Sequence, residues 1–132
     1  MKIALRIAAI LMLLHTAGHT VGALTWQDAP NAHVGAVITG MQTEHFNFMG
    51  RSLTLASFFN GYGFIMIGVL LLISILLWLL SSTPVRSIIL LLGLFLVFMG
   101  IMEFIYFFPF AAVISLLAGI CTLFAYQKSK TL

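Results

Sequence analysis

Residues 53–80 read LTLASFFNGYGFIMIGVLLLISILLWLL, without a single Asp, Glu, Lys, Arg or His. A helix needs about 20 mainly apolar residues to cross a hydrocarbon core roughly 30 Å thick, and this stretch exceeds that length. The excess predicts tilt or an extension into the interface. The same template finds three further spans, Ile3–Leu24, Ser87–Phe108 and Phe110–Tyr126. Turn signals fall between them, Ser81-Ser82-Thr83-Pro84 after the second span and Pro109 between the third and fourth. The expected fold is an all-α membrane protein, a single integral domain over residues 1–132 built as a four-helix up-down bundle.

Composition points the same way. Of 132 residues, 62% are hydrophobic and 7% charged, against roughly a quarter charged in an ordinary soluble domain. So few charges cannot cover the surface of a water-soluble monomer of this length, which excludes that class. Disorder is excluded by the same hydrophobicity. Six Lys plus Arg spread along the chain make no basic patch, so nucleic acid is not a partner; the lipid bilayer is. The single Cys121 allows no intramolecular disulfide and no CxxC motif, and it reads as a small buried hydrophobe.

Lys2, Arg6, Arg86, Lys128 and Lys130 fall on one side of a four-span protein and leave Arg51 on the other. The positive-inside rule then places both termini in the cytoplasm. A competing reading takes the first span as a cleaved signal peptide, with Lys2 and Arg6 as n-region, Ile7–Leu14 as h-region and Val21-Gly22-Ala23 as cleavage site. Against it, the apolar stretch continues past the h-region through residues that form a coherent helix face.

Between the first two spans, Thr25–Ser52 holds Trp26, Asp28, Pro30, Asn31, His33, Glu44, His45 and Arg51, most of the chain's polarity. Val34, Val37, Ile38, Met41, His45, Phe48 and Met49 recur at helical spacing, which predicts a short amphipathic helix from about Ala32 to Met49. Asn31 is its expected N-cap and Gly50 its expected stop. Trp26 has the amphipathic ring of a lipid–water boundary residue. Met41, His45 and Met49 at i, i+4 and i+8 place an imidazole between two thioethers, a soft set that suits Cu(I). Any apolar stripe has the same spacing, and methionines on such helices ordinarily pack against lipid or protein.

An ionisable group within a span costs several kcal/mol and needs a reason. His15, His19 and Glu103 are such groups. At about 100° per residue, His15, Gly18, His19 and Gly22 share one face of the first span, so the glycines permit close helix approach where the imidazoles lie. Ser57, Asn60, Gly68 and Ser74 share a sector of the second span, Gly93, Gly100 and Glu103 one of the third, and Ser115, Gly119, Thr122 and Tyr126 one of the fourth. These small or polar stripes are expected to turn toward a common axis. His19 and Glu103 lie at similar depth, each about 7 Å below the outer end of its span at 1.5 Å per residue. The expected site is an outward-facing pocket of His15, His19, Asn60 and Glu103, walled by Tyr62 and Tyr106, with Glu44 or His45 as a lid.

Several chemistries fit it. His15, His19 and Glu103 compose a set used for divalent metals such as Zn, with a fourth position left to water or substrate. A small lipophilic ligand is an alternative occupant. A His with a Glu partner also suits a proton relay or acid–base work, possible in a small oligomeric permease. Bis-histidine haem fits poorly, because the second, third and fourth spans contain no His. In the structural alternative, Glu103 bound to His15, His19 or Asn60 is interhelical glue in an accessory subunit that packs on a partner or a second copy. No Walker, dinucleotide-binding, nucleophile-elbow or CaaX motif is present, and whether a substrate is turned over is left open.

The layout resembles small four-helix bacterial inner-membrane proteins of the DoxX-like group. The likeness rests on His15-Thr16-Ala17-Gly18-His19, the Phe46–Ser52 approach to the second span, Asn60-Gly61-Tyr62-Gly63-Phe64 and Glu103. It implies a bacterial inner-membrane location.

Overall fold

The computed structural model describes residues 1–129; Lys130, one of the basic residues assigned to the cytoplasmic side, lies outside them. In chain order the elements are α1 (Lys2–Thr25), α2 (Ala32–Thr43), β1 (His45–Phe48), β2 (Arg51–Thr54), α3 (Leu55–Leu80), α4 (Arg86–Tyr106) and α5 (Pro109–Lys128). Helices α1, α3, α4 and α5 are long and apolar enough to cross a membrane. They match the four expected spans to within two residues at every end.

The segment before α3 departs from expectation. Asn31 does cap α2, its extended backbone letting Oδ1 accept the Val34 amide at 3.0 Å. The helix stops at Thr43, however, and Glu44 is its C-cap. A hairpin follows in place of a helix running to Met49. β1 and β2 pair antiparallel, with His45 opposite Thr54 and Phe48 opposite Arg51, joined by Met49 and Gly50 at φ of 50° and 81°. Positive φ at both loop residues matches the right-handed twist of the strands it joins. Helix α3 then begins on a reciprocal cap: Thr54 Oγ1 accepts the Ser57 amide at 3.1 Å, while the Thr54 amide donates to Ser57 Oγ at 3.2 Å.

The chain forms two compact units. One comprises Met1–Ala17 and the chain from Val69 onward, and the other is Gly18–Gly68. In the first, Leu5, Met12, Leu70, Leu77, Ile89 and Leu96 are fully buried. Small residues set the spacing of α4 and α5. A Cβ on Gly93 would lie 2.6 Å from Leu123 Cδ2, one on Gly100 3.0 Å from the Leu116 amide nitrogen, and one on Gly119 3.0 Å from that of Val97. Only hydrogen fits there, so the two backbones approach closely. Arg6 lies over the Trp78 ring at 5.0 Å, and Arg86 over Tyr126 at 4.5 Å. These contacts pair the N-terminal end of α1 with the C-terminal end of α3, and the start of α4 with the end of α5.

In the second unit, α1 and α3 come close at Gly63, where a Cβ would sit 3.3 Å from that of Ala23. Gly18 and Gly22, expected to admit a neighbour, have nothing within 4 Å of the Cβ position. The hairpin leans on α3 through aromatic rings: Phe58 stacks on Phe46 at 5.8 Å and meets Phe48 edge-on at 6.0 Å.

Candidate functional site

Within the first unit, α1, α4 and α5 each supply one polar side chain to a buried cluster. His15 is 7% exposed, Glu103 8% and Ser115 fully buried. His15 Nε2 lies 3.5 Å from Glu103 Oε1, and Ser115 Oγ lies 3.1 Å from His15 Nδ1. The first distance is within ion-pair range but longer than a formed hydrogen bond. When Nε2 carries the ring proton toward the carboxylate, Nδ1 is an acceptor and the Ser115 hydroxyl donates to it. The other carboxylate oxygen, Glu103 Oε2, is buried with no hydrogen-bond partner within bonding geometry among the described residues. This places an accepting oxygen beside a bifunctional ring, an arrangement in which one proton can be held or passed.

Local sequence explains why these atoms meet. Glu103 lies one turn beyond Gly100 on α4, and Ser115 one turn before Gly119 on α5, so both are carried by the close glycine contact between these helices. The apolar face of α1 around His15 is packed, with Leu5, Ala8 and Met12 all fully buried.

The other predicted site residues are placed differently. Among the described residues no three His, Cys, Asp or Glu side chains form a group that could hold a metal ion, the role expected of His15, His19 and Glu103. In the second unit, His19 Nε2–H donates to the Gly63 carbonyl oxygen at 3.2 Å. A carbonyl can only accept, which fixes the proton on that nitrogen. Asn60, expected to orient the His and Glu groups, accepts the Trp26 indole N–H at 2.7 Å, and Trp26 packs on Phe59 at 4.7 Å. Tyr62 stacks with Phe58 at 6.5 Å and is exposed, as is Tyr106 at the end of α4.

The soft-ligand stripe is also corrected. Met41 is on α2, Glu44 caps it, His45 is in β1 and Met49 is in the hairpin loop, so no single helix face carries them. His45 donates from Nδ1 to the Thr43 carbonyl oxygen at 2.8 Å and is exposed, as is Glu44. Ser115 is the residue that sequence reasoning left out of the site. Its stripe with Gly119 and Thr122 is visible in the sequence, but a serine on a small-residue face does not announce a histidine partner. Compared with family models, curated proteins and solved structures, the chain matches none.

Proposed function

We propose that this chain is a four-span protein of a bacterial inner membrane, related to the DoxX-like group, with its helices packed as a bundle and both termini in the cytoplasm. Its working element is the His15–Glu103 pair, which takes up and passes a proton. Insertion is supported by the length and apolarity of the four helices. Orientation is supported by the basic residues: Arg6 lies over Trp78 at the C-terminal end of α3, Arg86 begins α4 just after the Ser81–Val85 turn, and Arg51 is in the hairpin.

The observation that carries the proton reading is the histidine ring flanked at both nitrogens, by Ser115 Oγ at 3.1 Å and by Glu103 Oε1 at 3.5 Å. Imidazole with carboxylic acid, and imidazolium with carboxylate, have the same net charge. In the imidazolium Nδ1–H donates to Ser115 Oγ, so moving the Nε2 proton to Oε1 leaves a neutral ring beside a carboxylic acid and no uncompensated charge in a medium where one is costly. The test is proton entry into liposomes that contain the purified protein and an entrapped pH-sensitive dye, driven by an imposed membrane potential. Wild-type protein is expected to acidify the lumen faster than protein-free vesicles, and Glu103→Gln to remove the difference. Wild-type flux that Glu103→Gln leaves unchanged, or no wild-type flux, rejects the reading.

A second reading, an accessory membrane subunit, is favoured by one observation: the three buried side chains each come from a different helix and tie them together. It predicts that Glu103→Gln weakens the fold and leaves no flux to lose.

A further inference from the structure

A groove of about 430 Å³ opens in the second unit, lined by Arg51, Leu53, Ser57, Phe58, Gly61, Tyr62 and Ile65. Its volume is in the range of sites that hold a small ligand. Its chemistry is divided along its length. Arg51 stands at the hairpin end, exposed, with no Asp or Glu in ion-pair reach among the described residues. From there the wall runs along α3 through Phe58, Tyr62 and Ile65, at i, i+4 and i+7, one continuous apolar face. Ser57 is already engaged by Thr54 and offers little to a ligand, since its hydroxyl donates to the Thr54 carbonyl oxygen at 2.7 Å.

We propose that this groove holds one phospholipid with an anionic headgroup, its phosphate on Arg51 and the upper part of an acyl chain along Phe58, Tyr62 and Ile65. The inference rests on the membrane insertion argued above but not on the proton reading. Charge complementarity chooses the occupant. A guanidinium is a bidentate donor suited to phosphate, and among the described residues it has no carboxylate counter-ion. The apolar wall continues into a helix long enough to span a bilayer, so the occupant needs an anionic end and an apolar length joined together. Phe46 and Phe48 brace Phe58 from the hairpin side, so that wall is formed before the ligand arrives. Gly61 leaves room: a Cβ there would meet nothing within 4 Å.

The test is native mass spectrometry of the full chain released from bilayers of equal phosphatidylglycerol and phosphatidylcholine. Wild-type protein is expected to retain one phosphatidylglycerol in preference to phosphatidylcholine. Arg51→Gln should cut that preference by about fivefold, the scale of one basic side chain's attraction to an anionic surface. Gly61→Leu, which fills the groove from an open position, should lower retention of both lipids while the helical circular dichroism is kept. Glu103→Gln should leave lipid retention unchanged, which separates this site from the proton pair. Equal retention of the two lipids by wild-type protein, or a preference that survives Arg51→Gln, overturns the proposal. So does inorganic phosphate displacing the lipid, which would indicate a free-anion site, or a lipid-free dimer, which would put a second copy in the groove.

Discussion

Ser74 Oγ donates to the Ala9 carbonyl oxygen across 2.8 Å, with both residues buried in the first unit. A side chain of α3 thus reaches the main chain of α1, using the second lone pair of an oxygen that also serves its own helix. Ser74→Ala removes this donor and leaves a carbonyl that keeps its helical bond. The expected loss is about 0.5–1.5 kcal/mol, read from the midpoint of reversible unfolding in mixed micelles.

Removing one member of the His15–Glu103 pair should cost more than removing both. His15→Leu leaves the buried Glu103 carboxyl group without its imidazole partner, with an expected cost of about 3 kcal/mol. The double variant His15→Leu, Glu103→Leu should recover at least half of it, because no buried charge remains without a partner. The same unfolding assay on the two single variants, the double variant and wild type gives the coupling directly. A double variant no more stable than His15→Leu would contradict it.

Glycines on the described helices should divide by what faces them. Gly119→Ala sets a Cβ 2.9 Å from Val97 Cγ2 and 3.0 Å from the Val97 backbone nitrogen, which cannot retreat alone. The two helices must separate, at an expected cost of about 1–3 kcal/mol. Gly18→Ala meets nothing within 4 Å and should stabilise α1 by up to about 1 kcal/mol. Thermal unfolding of the two variants side by side should show midpoint shifts of opposite sign.

The hairpin loop contains an avoidable strain. Met49 has φ of 50° and is 90% exposed, so its side chain contributes almost no packing in return for the left-handed backbone. Met49→Asn should stabilise the hairpin by roughly 0.5–1 kcal/mol, since asparagine adopts this region more readily. Gly50→Ala, at φ of 81°, should destabilise it by a similar or larger amount. Amide hydrogen exchange over 45–54 should slow in the first variant and quicken in the second.

The four apolar helices were legible in the sequence because length and hydropathy alone define them, with Pro84 and Pro109 marking two of the boundaries. The hairpin was hidden by a coincidence of period. Met41, His45 and Met49 satisfy helical spacing, while Phe46 and Phe48 alternate on a strand and the Met49-Gly50 turn needs only a glycine to declare it. His15 and Glu103 could be nominated because each is expensive in hydrocarbon and therefore conspicuous. Asn60 and Ser115 could not be placed. Either can bond to several partners, and only the packed helices decide that Asn60 takes Trp26 and Ser115 takes His15.

Two residues, Phe107 and Phe108, separate α4 from α5, and the glycine contacts leave no room for an acyl chain between those helices. A pair joined so closely can form as one unit. Under the membrane insertion proposed above, Glu103 meets hydrocarbon with the Ser115 helix already against it, so a preassembled partner offsets the dehydration cost of its carboxyl group.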